Sequence, residues 1–259
     1  MTPQHPSPRH GAVVTGAAGG IGGAIARLLA ASGTAVVITD RDGDALGRAH
    51  DRLRRQGARV TALPIDLTRP PAIDALLRHA TAHLPRLDTI VNAAGLCRGV
   101  PFRRLTTALW QQTLAIDLEI PLRLCGAAAP HLRSAGGGTI LNIASIAGLR
   151  PFPFAPHYAA AKAELISLTK VMAVTWAAAG IRVNALCPGW TRTAMTEVFW
   201  KDPHPSQVPL HQVPLGRWAT VDEIAAAAVF LTSTPHITGA VLVADGGLLA
   251  HHPPPHPGR

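Results

Sequence analysis

The chain has 259 residues, 47% of them hydrophobic and 15% charged, with a formal net charge of +9. A chain of that size and apolar content buries roughly three-quarters of its unfolded surface, which excludes general disorder. Its most apolar stretches, around 225–231 and 165–181, are too short or are broken by Lys170, whereas a membrane span needs about 20 apolar residues.

The first ten residues, MTPQHPSPRH, lack an apolar signal core and read with the Pro/His-rich residues 251–259 as disordered tails. Residues 11–250 read as a single domain. Strand-like runs follow at Ala12–Thr15, Ala35–Thr39, Val60–Pro64, Thr89–Val91, Thr139–Ile143, Arg182–Leu186 and Ala240–Val243. Each is short and nearly continuously apolar, as strands covered on both faces must be. The segments between them have helical spacing. In the first, Ile21, Ile25, Leu28 and Leu29 recur on one face and Gly33 supplies the stop. Longer helices are expected over Thr107–Pro130 and Pro156–Ala179. Strands alternating with helices predict an α/β fold, a doubly wound (Rossmann-type) seven-stranded, mostly parallel sheet with helices on both faces. The arginines clustered at Arg52, Arg54, Arg55 and Arg59 read as a solvated helix face, because no zinc-finger spacing, aromatic nucleic-acid motif or heptad accompanies them. No nucleic-acid and no membrane partner is expected. Cys97, Cys125 and Cys187 lie far apart with no CxxC pair, which predicts reduced thiols, a cytoplasmic setting and no metal site.

The first strand runs into Thr15-Gly16-Ala17-Ala18-Gly19-Gly20-Ile21-Gly22 and then a helix. Glycines there let the backbone approach a pyrophosphate seated on the helix N-terminus. The second strand ends at Asp40, 18 residues beyond Gly22, where a carboxylate accepts from a ribose diol and repels a 2′-phosphate. Arg41 beside it pulls toward a phosphate. The balance predicts NAD, with NADP disfavoured. Tyr158 and Lys162 stand at i and i+4 on one helix face, and Ser145 lies 13 residues upstream of Tyr158, just past a strand. Ligand sites in such sheets form outside the carboxyl ends of the strands.

With Asp66-Leu67, Asn92-Ala93-Ala94-Gly95, Arg182-Val183-Asn184, Pro188-Gly189 with Thr193, and Asp245-Gly246-Gly247, the chain from Ala12 to Gly247 resembles the short-chain dehydrogenase/reductase family. That resemblance implies an oxidoreductase, a ketoreductase type among the possibilities, that moves a hydride between a nicotinamide dinucleotide and a secondary alcohol or ketone. It implies cofactor contacts at Gly16, Ala18, Gly20, Ile21, Gly22, Asp40, Arg41, Asp66, Leu67, Asn92, Ala93, Gly95, Tyr158, Lys162, Pro188, Gly189, Thr191 and Thr193. Asp66 would lie against the adenine, Asn92 would brace its strand, and Thr193 would hold the carboxamide or phosphate side. Tyr158 would exchange the proton. A free tyrosine has a pKa of about 10, so work near neutrality needs a drop of about 3 units, or ~4 kcal/mol, and Lys162 at ~4 Å supplies that at an effective dielectric of ~20. Ser145 would hold the substrate oxygen.

Two departures from the family pattern stand out. The family usually has an asparagine where this chain has Ile116-Asp117-Leu118. A charged Asp117 would offset the help that Lys162 gives Tyr158, so the expectation is either an outward or water-screened carboxylate or an alkaline-shifted optimum. The helix around Val174-Thr175 lacks the basic–acidic pair of carrier-protein reductases, which speaks against carrier docking.

The segment 190–214 reads as a substrate loop. Leu96, Ala147, Phe152, Phe154, Trp190, Met195, Phe199 and Trp200 are the candidate substrate pocket, and His157 a neighbour of the site. Several aromatics and few acids predict an apolar or cyclic substrate. A biosynthetic tailoring enzyme, such as a 3-oxoacyl-type ketoreductase or a reductive or dehydrating step, and a non-catalytic dinucleotide sensor are the alternatives. Surplus apolar residues on the two long helices (Leu114, Leu118, Leu122, Leu124, Ala127 and Ala128; Leu165, Leu168, Val171, Val174 and Trp176) predict a homotetramer or homodimer.

Overall fold

Of the seven apolar runs, the inner five are buried on nearly every residue, the edge runs Val60–Pro64 and Val241–Ala244 only in part. Parallel strands of this kind are crossed over by helices. The computed structural model describes residues 10–201 and 210–251. The strands are β1 Gly11–Thr15, β2 Ala35–Asp40, β3 Val60–Pro64, β4 Thr89–Asn92, β5 Gly138–Ile143, β6 Ile181–Pro188 and β7 Val241–Ala244. They form one sheet in the order β3-β2-β1-β4-β5-β6-β7. All six pairings are parallel, Val13 lying opposite Val37 on one side and Ile90 on the other.

Alternation along the strands divides the core in two. Val13, Val37, Ile90, Ile140 and Val183 meet one layer, made of α3 Ala72–His83, α5 Ile120–Ser134 and α6 Pro156–Trp176. Val14, Ile38, Val91, Leu141 and Leu186 meet the other, made of α1 Gly20–Ala31, α2 Gly43–Arg55 and α7 Val221–Ser233. Arg52, Arg54, Arg55 and Arg59 lie exposed, the first three on the outer side of α2. No helix among the described residues is long and apolar enough to cross a membrane.

One expectation needs adjustment. The helix expected over Thr107–Pro130 is α4 Thr107–Leu114, a single π turn Ala115–Glu119, and α5. A π turn inserts one residue into the helical register, and here Asp117 and Leu118 face inward. Of the apolar residues on the two long helices, Leu118, Leu124, Ala128 and Leu165 are core, while Leu122, Val171 and Val174 are 44%, 57% and 82% exposed. The expected tails lie outside the described residues except at their inner ends. There His10 Nδ1 stands 2.8 Å from Asp88 Oδ2, and the His251 N–H donates to the Gly247 carbonyl at 3.0 Å. Pro203, Pro205 and Pro209 of the 190–214 loop also fall outside the described residues.

Candidate active site

The strand order reverses between β1 and β4, and such a switch point leaves a crevice at the carboxyl ends. The Thr15 hydroxyl ties the two strand ends together there, accepting the Ala93 and Ala94 N–H groups, both at 3.1 Å. A cavity of about 950 Å³ opens across this edge, reaching from Asp40 and Asp66 to Phe154 and Phe199.

The dinucleotide end is built from the glycine turn. Gly16 has φ +65°, and a Cβ on it would stand 2.7 Å from the Ala94 backbone. Only glycine satisfies both conditions. The N-terminus of α1 carries no side-chain cap at Gly19 and no acid in its first turn, and a Cβ on Gly19 would meet nothing within 4 Å. Uncapped amides facing open space are what an anionic pyrophosphate requires, so the residues present fit a dinucleotide. The Asp40 carboxylate is fixed at the rim by the Ala18 N–H and the Asp42 N–H, each at 3.2 Å. Arg41 stands exposed beside it. Asp66 accepts the Thr68 hydroxyl at 2.7 Å and the Thr68 N–H at 3.0 Å, bonds that hold its carboxyl below the usual range.

Gly16, Ala18, Gly20, Ile21, Gly22, Leu67, Ala93, Gly95, Pro188, Gly189, Thr191 and Thr193 all line the cavity. Asn92 does not. It lies buried behind the wall, donating to Asn142 Oδ1 at 2.8 Å, and Asn142 in turn donates to Thr169 Oγ1 at 2.9 Å. Asn142 was not singled out in the sequence, although an amide inside the apolar run Thr139–Ile143 was the available signal. Cys97, which lines the cavity, was also missed as a site residue, because a lone cysteine carries no spacing signal.

Ser145 follows β5 and caps the 3₁₀ turn Ile146–Gly148, its hydroxyl accepting the Ala147 N–H at 3.1 Å. Tyr158 and Lys162 rise from the first turns of α6, and all three side chains border the same cavity. Lys162 is held from two sides. Its ammonium donates to the Ile143 carbonyl at 2.9 Å and pairs with Asp117 at 3.1 Å. It lies 5.5 Å from the Tyr158 ring centroid. Asp117 is neither outward nor water-screened. It is fully buried and accepts the Leu96 N–H at 3.1 Å, because the π turn aims it at the β4 loop. Burial is the largest influence on the Tyr158 hydroxyl and pushes its pKa well above 10, with the Asp117 charge adding to the rise. Burial likewise raises Asp117, against the pull of Lys162.

Toward the other end, Leu96, Ala147, Phe152, Phe154, Trp190, Met195 and Phe199 line the cavity. The rings of Phe152, Phe154, Trp190 and Phe199 contact one another at centroid distances of 5.6 to 6.2 Å. Trp200 is not part of this wall. Its Nε1 donates to the Thr193 carbonyl at 3.1 Å, which turns the indole toward the loop backbone. His157 is fully buried behind the cavity, where desolvation pushes its imidazole below the ordinary value.

Residues 16–249 match the family described as enoyl-(acyl carrier protein) reductase. The chain is 40% identical over 245 residues to a cis-4-hydroxycyclohexanecarboxylate dehydrogenase of Sinomonas cyclohexanicum, covering 92% of this chain and 96% of that one. The chain belongs to the short-chain dehydrogenase/reductase family. Among solved structures, a putative short-chain alcohol dehydrogenase from Sinorhizobium meliloti superimposes with a TM-score of 0.88 at 36% identity, covering 93% of this chain and 97% of that one. A putative 2-deoxy-D-gluconate 3-dehydrogenase from Agrobacterium tumefaciens, with bound NADP, gives a TM-score of 0.86 at 35% identity, covering 94% and 97%. As a short-chain dehydrogenase/reductase, the protein is an oxidoreductase that acts on alcohol or ketone substrates with a nicotinamide dinucleotide.

Proposed function

We propose that the protein interconverts a secondary alcohol and a ketone, apolar or cyclic, with NAD(H) preferred over NADP(H). The observation that carries this reading is one cavity with the Ser145, Tyr158 and Lys162 side chains at its middle, a glycine turn and carboxylate at one end, and a wall of four aromatic rings at the other. The dinucleotide, when bound, supplies or takes up the hydride. Ser145 donates to the substrate oxygen and fixes its orientation, and Tyr158 gives that oxygen its proton or removes it. Lys162, held by the Ile143 carbonyl and Asp117, anchors the helix face that carries Tyr158. The aromatic wall excludes water and favours flat or ring-shaped apolar groups. NAD is favoured by the Asp40 carboxylate at the rim, which opposes a 2′-phosphate.

A cytoplasmic setting is supported by three free cysteines. Assembly into a homotetramer or homodimer is supported by exposed Leu122 on α5 and exposed Val171 and Val174 on α6. The test is a nicotinamide-absorbance screen of cyclic and acyclic ketones and alcohols with both cofactors, followed by Tyr158→Phe. Turnover of the selected substrate should fall at least ~10²-fold with dinucleotide binding intact. Parental turnover in that variant would overturn the assignment.

A further inference from the structure

The ion pair beside the tyrosine has a geometry that bears on when the proton moves. Asp117 and Lys162 are 0% and 4% exposed at their side chains, with Oδ1 and Nζ 3.1 Å apart. The π turn delivers the carboxylate, and Gly95 leaves it room, since a Cβ there would stand 2.9 Å from Asp117 Oδ1. The ammonium stands 5.5 Å from the Tyr158 ring centroid and pairs directly with the carboxylate. Two opposite charges this close present a nearby group with a dipole, and their fields largely cancel.

Among the described residues, every other titratable group facing the phenol adds no positive charge. Cys97 in the loop after β4 and Cys187 on β6 are thiols that burial pushes up to about 11, and the remaining neighbour, Ser145 after β5, is a neutral hydroxyl. Asp117 itself faces Lys162 and His157 of α6, Cys97, and the Leu96 N–H. His157 is kept neutral by burial.

We propose that Asp117 is a positioning residue that neutralises Lys162, so that the Tyr158 hydroxyl serves as a proton donor for carbonyl reduction throughout the neutral range while alcohol oxidation requires alkaline solution. The inference rests on the reading of Tyr158 as the proton carrier. In reduction a bound dinucleotide would supply the hydride to the carbonyl carbon, while the carbonyl oxygen takes the Tyr158 proton and the electron pair of the phenol O–H bond stays behind as tyrosinate. Oxidation runs the same transfers backwards and needs the tyrosinate first. A phenol that ionises late extends the reductive limb and delays the oxidative one, both toward higher pH.

Tyr158 is the only tyrosine in the chain, so the near-ultraviolet absorbance of tyrosinate titrates this one group with no substrate present. The parent protein should ionise above the ordinary value of about 10, or remain un-ionised until circular dichroism reports unfolding. Asp117→Asn keeps the shape and removes the charge. It should lower the midpoint by about one pH unit or more, a size set by one charge at contact-like range in a partly screened interior. The rising limb of alcohol oxidation should move to lower pH by the same amount. A purely structural role for Asp117 would lower stability without moving either midpoint. An Asp117→Asn midpoint equal to that of the parent overturns the proposal, and so does a parent midpoint at or below the ordinary value, which needs no variant. Parental turnover in Tyr158→Phe sinks the acid–base reading itself, and an unmoved tyrosinate midpoint sinks only the role of Asp117.

Discussion

Replacing Asp40 by asparagine removes the charge at the cavity rim while keeping nearly the same volume. In the parent the two carboxylate oxygens are committed separately, Oδ2 to the Ala18 N–H and Oδ1 to the Asp42 N–H, each at 3.2 Å. The group therefore cannot swing away from a ribose seated on the glycine turn without giving up two bonds. A 2′-phosphate forced to within ~5 Å of it would meet ~3 kcal/mol of repulsion per unit charge at an effective dielectric of ~20. Asp40 is only half-buried, and water and salt reduce that figure to roughly 2 kcal/mol. Since ~1.4 kcal/mol is tenfold in affinity, the parent should bind NAD at least ~10-fold tighter than NADP, and Asp40→Asn should tighten NADP by about that factor. NAD should weaken only a few-fold, because an amide oxygen still accepts from the diol, though less strongly than a carboxylate. Quenching of tryptophan fluorescence on titration with each cofactor reads both constants, and Trp190 lies in the cavity wall. The amide has one oxygen for two backbone donors, so a thermal melt separates a loosened loop from a changed charge. A parent that binds NADP as tightly as NAD would refute the reasoning, as would a variant whose affinity ratio is unchanged.

The 3₁₀ turn that carries Ser145 packs so closely on α6 that a Cβ on Gly148 would stand 2.7 Å from the Lys162 carbonyl carbon and 2.8 Å from the Ala163 nitrogen. Gly148→Ala should therefore cost about 1–3 kcal/mol and lower the melting temperature by several degrees, and an unchanged melt would count against this packing. Val171→Glu combined with Val174→Glu places charge on the exposed face of α6. Light scattering should then report a smaller species than the parent, whereas identical assembly would exclude this face as the interface.

Much of the fold was legible because its signals are local. A run such as Ala35–Thr39 is nearly continuously apolar and too short for a helix, so burial on both faces followed from the residues themselves, and the structure adds only the final Asp40. The proximity of Ser145, Tyr158 and Lys162 was legible for a related reason. An i, i+4 pair shares a helix face whatever the helix packs against, and a serine just past a parallel strand lies at the ligand-binding edge.

Other features depended on contacts between distant segments. The helical pattern over Thr107–Pro130 carries no mark of a π turn, because one inserted residue alters register without altering composition. Leu118 packs there with Ala161 and Leu165 of α6, and that packing turns Asp117 inward onto Lys162 where the sequence left an outward carboxylate open. Trp200 read as a pocket aromatic from its neighbours Phe199 and Trp190, yet its bond to the Thr193 carbonyl turns it aside. Asn92 sits at the end of β4, but pairing with Asn142 across β4 and β5 holds it behind the cavity wall. Residue type and short spacing thus determined which chemistry the chain carries. The direction of each charge toward or away from Tyr158 was decided by helix packing, since an electrostatic effect depends on distances that no local pattern encodes.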